Sequence, residues 1–99
     1  MENPFGAEWV HQGFHQAYLK MHHNIVKWLE MPEHRDLPVM CTGHSMGAGL
    51  ATMCCRYLAE MTRYGPAMLC LTTFGSPRVG NAAFRDAIQA KVGEVWRCV

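Results

Sequence analysis

From Phe14 onward, apolar side chains recur at Tyr18, Met21, Ile25, Trp28 and Leu29. Steps of three and four mark one face of a helix. Pro32 ends it, and 32–38 reads as a polar loop. The run 39–42 is too short and too β-favouring for a helix, so it predicts a buried strand. A second stripe then appears at Leu50, Met53, Cys54, Tyr57, Leu58 and Met61, giving a helix over 48–61 that Tyr64-Gly65-Pro66 stops. Residues 67–74 form a continuous apolar run with two threonines, a second buried strand. After a loop at 75–80, Asn81 is placed to cap a third helix with Phe84 and Ile88 on its buried face. Gly93 breaks that helix, and 95–99 begins a third strand. The first twelve residues, with Pro4 and Gly6 as breakers, read as irregular, apart from a brief extension at Trp9-Val10.

Strands alternating with helices imply right-handed crossovers and a parallel sheet. The predicted fold class is therefore α/β, three strands alternating with three helices. Such a sheet calls for helices on both of its faces. Ninety-nine residues make at most one small domain, yet 49% are hydrophobic. That balance predicts a core portion of something larger, one partial domain over 1–99 that is incomplete at both ends.

Charge narrows the function classes. The net charge is +1 and the nine Lys and Arg residues are scattered, which argues against a nucleic-acid partner. No apolar run approaches the ~20 residues of a membrane span. The first ten residues lack the basic start and apolar stretch of a secretory signal. Five cysteines without zinc-site spacing read as reduced, buried thiols, which favours a reducing, cytoplasmic compartment. The pair His11 and His15 has i, i+4 spacing, but Gly13 between them and a late helix start leave no metal site expected.

The candidate chemistry sits at Gly43-His44-Ser45-Met46-Gly47, a G-x-S-x-G sequence. A predicted strand leads in and a predicted helix leads out, the context of a nucleophile elbow. Ser45 is then the candidate nucleophile, with small residues on either side leaving it room. The backbone N–H of Met46, at a helix N-terminus, is the candidate oxyanion donor.

Three blocks carry a family likeness. Val10-His11-Gln12-Gly13-Phe14, residues 39–50 around the elbow, and residues 73–81 (T-F-G-S-P-R-V-G-N) stand in this order. Together they resemble the class 3, fungal-type triacylglycerol lipases, whose fold is the α/β-hydrolase fold. The third block is far more specific than G-x-S-x-G. Met46 stands where the family usually has Leu, and Ala48-Gly49 replaces the usual Gly-Ala order. A methyl group at 48 is expected to tighten packing under the elbow.

The resemblance implies a serine ester hydrolase acting on acylglycerols or related lipids through an acyl-enzyme at Ser45. It requires no metal or organic cofactor. It also implies a triad Asp shortly beyond Val99, a later triad His, and a side-chain oxyanion donor before the first block. An unassisted serine hydroxyl is a poor nucleophile without such a base. Within the chain, His44 is expected to point away from Ser45 and serve structure. His11 and Arg78 match family positions with structural roles, and Asp86 reads as a solvated charge. Ser76 is a turn hydroxyl, and Met46, Met53 and Met61 read as packing. Two alternatives stand beside the hydrolase. One is a catalytically silent remnant or interaction fragment; the other is an acyltransferase or other esterase on the same scaffold.

Overall fold

A computed structural model of the chain describes residues 1–61 and 63–99. The elements are β1 (Glu2–Phe5), β2 (Glu8–Val10), α1 (Gln12–Leu29), β3 (Val39–His44), α2 (Met46–Leu58), β4 (Leu69–Phe74), α3 (Ala82–Lys91) and β5 (Glu94–Cys98), with a short 3-10 turn at Pro66–Met68 before β4. The three predicted helices and three predicted strands are all present. Strands β3, β4 and β5 form a parallel sheet in that order.

The amino terminus differs from the expectation. Residues 2–10 form an antiparallel hairpin of β1 and β2. Gly6 acts as its turn, with φ of 74°, a conformation glycine adopts without a Cβ penalty. Pro4 is tolerated because β1 is an edge strand.

The sheet is also covered differently. Because it advances in one direction, two crossovers of the same hand place α2 and α3 on one face. Cys41, Leu69, Leu71 and Thr73 point into that face and are buried. The alternate residues Met40, Phe74 and Trp96 lie on the opposite face, exposed at 65%, 44% and 61%. Strands β3 and β4 are therefore buried on one side only, β5 is exposed along its length, and among the described residues no helix covers the other face. No described helix is long and apolar enough to cross a membrane.

The core between the sheet and α2 is built from Met53, Cys55, Leu58, Leu69 and Leu71, with Tyr18 of α1 and Phe84 and Ile88 of α3 closing its sides. The thiols are free, but the burial expected of all five holds only for Cys41 and Cys55; Cys54 and Cys70 are half-buried and Cys98, on the edge strand β5, is exposed. Contact with Cys41 and then burial push the Cys54 thiol up. Such groups stay protonated and pack as small hydrophobes.

Two polar clusters tie the hairpin to this core. Arg56 of α2 is 1% exposed. Its Nε and Nη2 donate to both carboxylate oxygens of Glu8 at 2.7 Å. Its Nη1 donates to Glu60 Oε1 at 2.5 Å, and Lys91 of α3 reaches the same oxygen at 3.1 Å. The Arg56 guanidinium also lies 4.1 Å above the Phe5 ring. Beside it, the ring of His15 bridges the Glu2 carboxylate and the Tyr57 hydroxyl, the latter at 2.6 Å. His15, paired with His11 in the sequence reading, is thus engaged with the hairpin and α2.

Glu8→Ala leaves a buried guanidinium short of its bidentate partner. Breaking such a pair is expected to cost ~3 kcal/mol in urea unfolding, whereas Glu60→Ala, at a half-exposed carboxylate, costs ~1 kcal/mol or less. The pH dependence has a defined sign. The His15 and then Gln16 hydrogen bonds hold Glu2 below its ordinary 4.5, and Arg56 and then Lys91 do the same for Glu60. These carboxyls bind fewer protons folded than unfolded. Their contribution is complete above pH 4.5 and is lost as pH falls through the lowered values. Urea midpoints measured down through this window should fall, and should fall less in the Glu2→Gln, Glu60→Gln double variant.

Candidate active site

Strand β3 runs straight into α2 with Ser45 alone between them. Turning a strand into a helix in one residue forces an unusual backbone, and Ser45 has φ 53° and ψ −117°. It is the single non-glycine residue with positive φ among the described residues. Such a conformation stores ~1–3 kcal/mol and persists only where its surroundings dictate it.

Those surroundings are identifiable. Ser45 N–H donates to the Phe74 carbonyl at 2.8 Å, fixing the turn to the end of β4. The Ser45 carbonyl accepts from the N–H groups of Ala48 and Gly49, at 3.0 and 3.3 Å, starting α2. A Cβ at Gly43 would land on the carbonyl of Gly47. Only glycine lets the strand and the first helical turn approach so closely. Gly47 has open space where a Cβ would stand. The sequence expectation of small residues flanking the serine therefore holds at 43 for a steric reason and does not hold at 47.

Ser45 is exposed, as is Met46 at 63%. Met46 is the first residue of α2, so its N–H has no acceptor within the helix. The positive end of the helix dipole lies at the same place. This segment can present a hydroxyl and a backbone donor to one reacting group. Ala48 is fully buried, as its expected packing role requires. At Gly49 a Cβ would come within 2.6 Å of the Phe14 ring. The Ala48-Gly49 order thus follows from where Phe14 of α1 packs.

The first and third sequence blocks are brought together. Val10 bridges Gly80 in antiparallel fashion, His11 N–H donates to the Val79 carbonyl at 2.7 Å, and Asn81 N–H to the Trp9 carbonyl at 2.9 Å. A Cβ on Gly80 would sit 2.5 Å from the Trp9 carbonyl. The Asn81 side chain caps α3 through Phe84 N–H at 3.0 Å, as expected, and also binds Trp9 and Ala7 of the hairpin turn and β2. The His11 ring accepts from Gly13 N–H at 3.1 Å and caps α1. Gly75, at φ 61°, turns the chain out of β4, and its N–H donates to the Cys98 carbonyl at 2.8 Å.

The remaining candidates stand as follows. His44 is exposed on the uncovered face of the sheet and makes no side-chain hydrogen bond among the described residues. No histidine ring bonds Ser45 Oγ among the described residues. Asp86 is exposed and pairs with Arg85 at 3.3 Å. Ser76 Oγ donates to the Pro77 carbonyl at 3.0 Å and Arg78 Nε to the Gly80 carbonyl at 3.4 Å, both holding the loop. Met53 is buried in the core, whereas Met46 is not. The sequence reading missed Arg85 and Arg97, which the fold sets beside Arg78 around one cavity; they lie far apart in sequence and leave no local signal.

The profile of the family described as Lipase (class 3) matches residues 2–99. The chain belongs to the class 3 lipase family. It is 32% identical over 87 residues to Phospholipase A(1) DAD1, chloroplastic, of Arabidopsis thaliana, covering 88% of this chain and 19% of that protein. It is 33% identical over 85 residues to the secreted mono- and diacylglycerol lipase LIP4 of Malassezia restricta, covering 82% of this chain and 27% of the relative. Among solved structures, lipase II from Rhizopus niveus superposes with a TM-score of 0.81 at 28% identity, over 98% of this chain and 38% of that one. The three-stranded sheet with its helices is thus a portion of the α/β-hydrolase fold of those lipases. The chain spans about a fifth to a quarter of these curated relatives and over a third of the solved lipase.

Substitutions separate the steric and conformational parts of the elbow. Gly43→Ala is expected to cost ~3 kcal/mol or more, because backbone must move. Gly47→Ala should change stability by less than ~1 kcal/mol. Ser45→Gly should stabilise the fold by ~1 kcal/mol through release of backbone strain. Thermal or urea unfolding of the three variants checks all three.

Proposed function

We propose that this chain carries the nucleophile segment of a lipid ester hydrolase. Ser45 Oγ attacks the acyl carbonyl of an acylglycerol or phospholipid, and the Met46 N–H donates to the oxyanion that develops. Collapse of the tetrahedral species expels the alcohol and leaves the acyl group on Ser45, and water then releases the fatty acid. The observation that carries this reading is the strained, exposed backbone at Ser45. Membership in a lipase family, with relatives named as phospholipase A1 and mono- and diacylglycerol lipase, supports the substrate class.

A second reading has its own observation. No described histidine ring touches Ser45 Oγ, so the hydroxyl lacks the base that makes serine reactive. On that reading the segment by itself is catalytically silent. A fluorophosphonate probe distinguishes the two. Labelling of the folded chain that is lost in Ser45→Ala is the expected result. A folded chain that takes no label, or labels equally as Ser45→Ala, would overturn the hydrolase reading for this segment.

A further inference from the structure

Between α3, the helix-side face of β4 and β5, and the loop that follows β4 there is a cavity of about 450 Å³. Arg78, Arg85 and Arg97 are among its lining residues, and no lining residue is acidic. Leu71, Phe84 and Ile88, packed in the core, form its floor, and Pro77 and Val95 are its exposed apolar lining. In a chain of net charge +1, three like charges around one cavity repel one another unless an anion joins them.

The bonds these arginines already make leave them available. Arg78 gives one N–H to the Gly80 carbonyl and Arg97 one to the Ser76 carbonyl, at 3.4 and 3.3 Å. Each guanidinium has five N–H donors, so both are steadied by the loop and keep most of their fork. Arg85 pairs with Asp86, but both side chains are about two-thirds exposed, at 67% and 70%. Such a pair is weak enough to exchange for a better anion. Several guanidinium forks match the oxygens of a phosphate better than the two of a carboxylate.

We propose that this cavity binds the phosphate group of an anionic phospholipid, with Arg78, Arg85 and Arg97 as its donors and the apolar lining taking lipid hydrocarbon. The loop bearing Arg78 starts at Gly75, one residue after Phe74, whose carbonyl holds Ser45 N–H. The inference rests on the lipid-hydrolase reading for its role and names a phosphate-bearing substrate for it. Curated relatives carry names of both kinds, phospholipase A1 and mono- and diacylglycerol lipase, and the arginine cluster favours the first.

Binding and catalysis are separable. The purified chain, isotope-labelled for amide NMR, is titrated with dihexanoylphosphatidic acid below its micelle concentration. Parallel titrations use dihexanoylglycerol and inorganic phosphate. The expected result is saturable shifts at the amides of 76–81 for the phosphatidic acid, weakening as salt rises. Arg85→Gln with Arg97→Gln should loosen binding about tenfold or more. Arg85→Gln alone, at an exposed side chain whose removal spares the fold, should loosen it about threefold. Arg35→Gln, outside the cavity, should leave it unchanged. Ser45→Ala should bind as the parent does, so a failed nucleophile assignment leaves this result standing. The proposal is overturned if no saturable shift occurs, if the neutral glyceride or free phosphate binds as tightly, or if Arg85→Gln has no effect.

Discussion

The close approach of Gly43 to Gly47 is the constraint on which the rest of this structure depends. The end of β3 and the first turn of α2 occupy space that a single methyl group would deny them. With the two backbones that near, one residue must reverse the chain, and Ser45 takes a positive φ to do so. Its exposure, the free N–H at the start of α2 and the bond to the Phe74 carbonyl all follow from that crossing. The chemistry proposed for the segment is a consequence of this backbone geometry. With its backbone held this way, the proposed nucleophile has only its side-chain torsion left to order.

A strained turn needs a stiff support, and the polar clusters supply part of it. The hairpin of residues 2–10 places Val10 in the core and Phe5 against it. It is fixed by Glu8 on the buried Arg56, by Glu2 on His15, and by the backbone exchange between Val10 and Gly80. The last of these joins the hairpin to the loop leaving β4, whose last residue, Phe74, accepts from Ser45 N–H through its carbonyl. Two of the three blocks that mark the family are thus one physical unit. Val79 is buried at their junction, and Asn81 serves the α3 cap and the hairpin at once.

Much of this was legible in the sequence because it is local. Helical stripes such as Leu50, Met53, Cys54, Tyr57 and Leu58 report a period, and Asn81 and Pro32 report ends. The elbow was legible because strand, turn and helix adjoin. Features set by distant partners were not. Nothing near Glu8 announces Arg56, forty-eight residues on, and Pro4 with Gly6 reads as irregular chain until the partner strand is known. The rule that parallel strands are buried on both faces misjudged Met40, Phe74 and Trp96, since a rule for whole sheets was applied to three strands. The Arg78, Arg85 and Arg97 grouping likewise exists only once β5 lies beside β4.

The central claim is that Ser45 and the Met46 N–H form one reacting site. A crystal structure of the chain after phosphonylation tests it most directly, because the adduct mimics the tetrahedral species. The expected result is a covalent phosphorus on Ser45 Oγ, with φ of Ser45 still positive and a phosphoryl oxygen within hydrogen-bond distance of the Met46 N–H. Phosphorus on another side chain, or a phosphoryl oxygen turned away from that N–H, would contradict it.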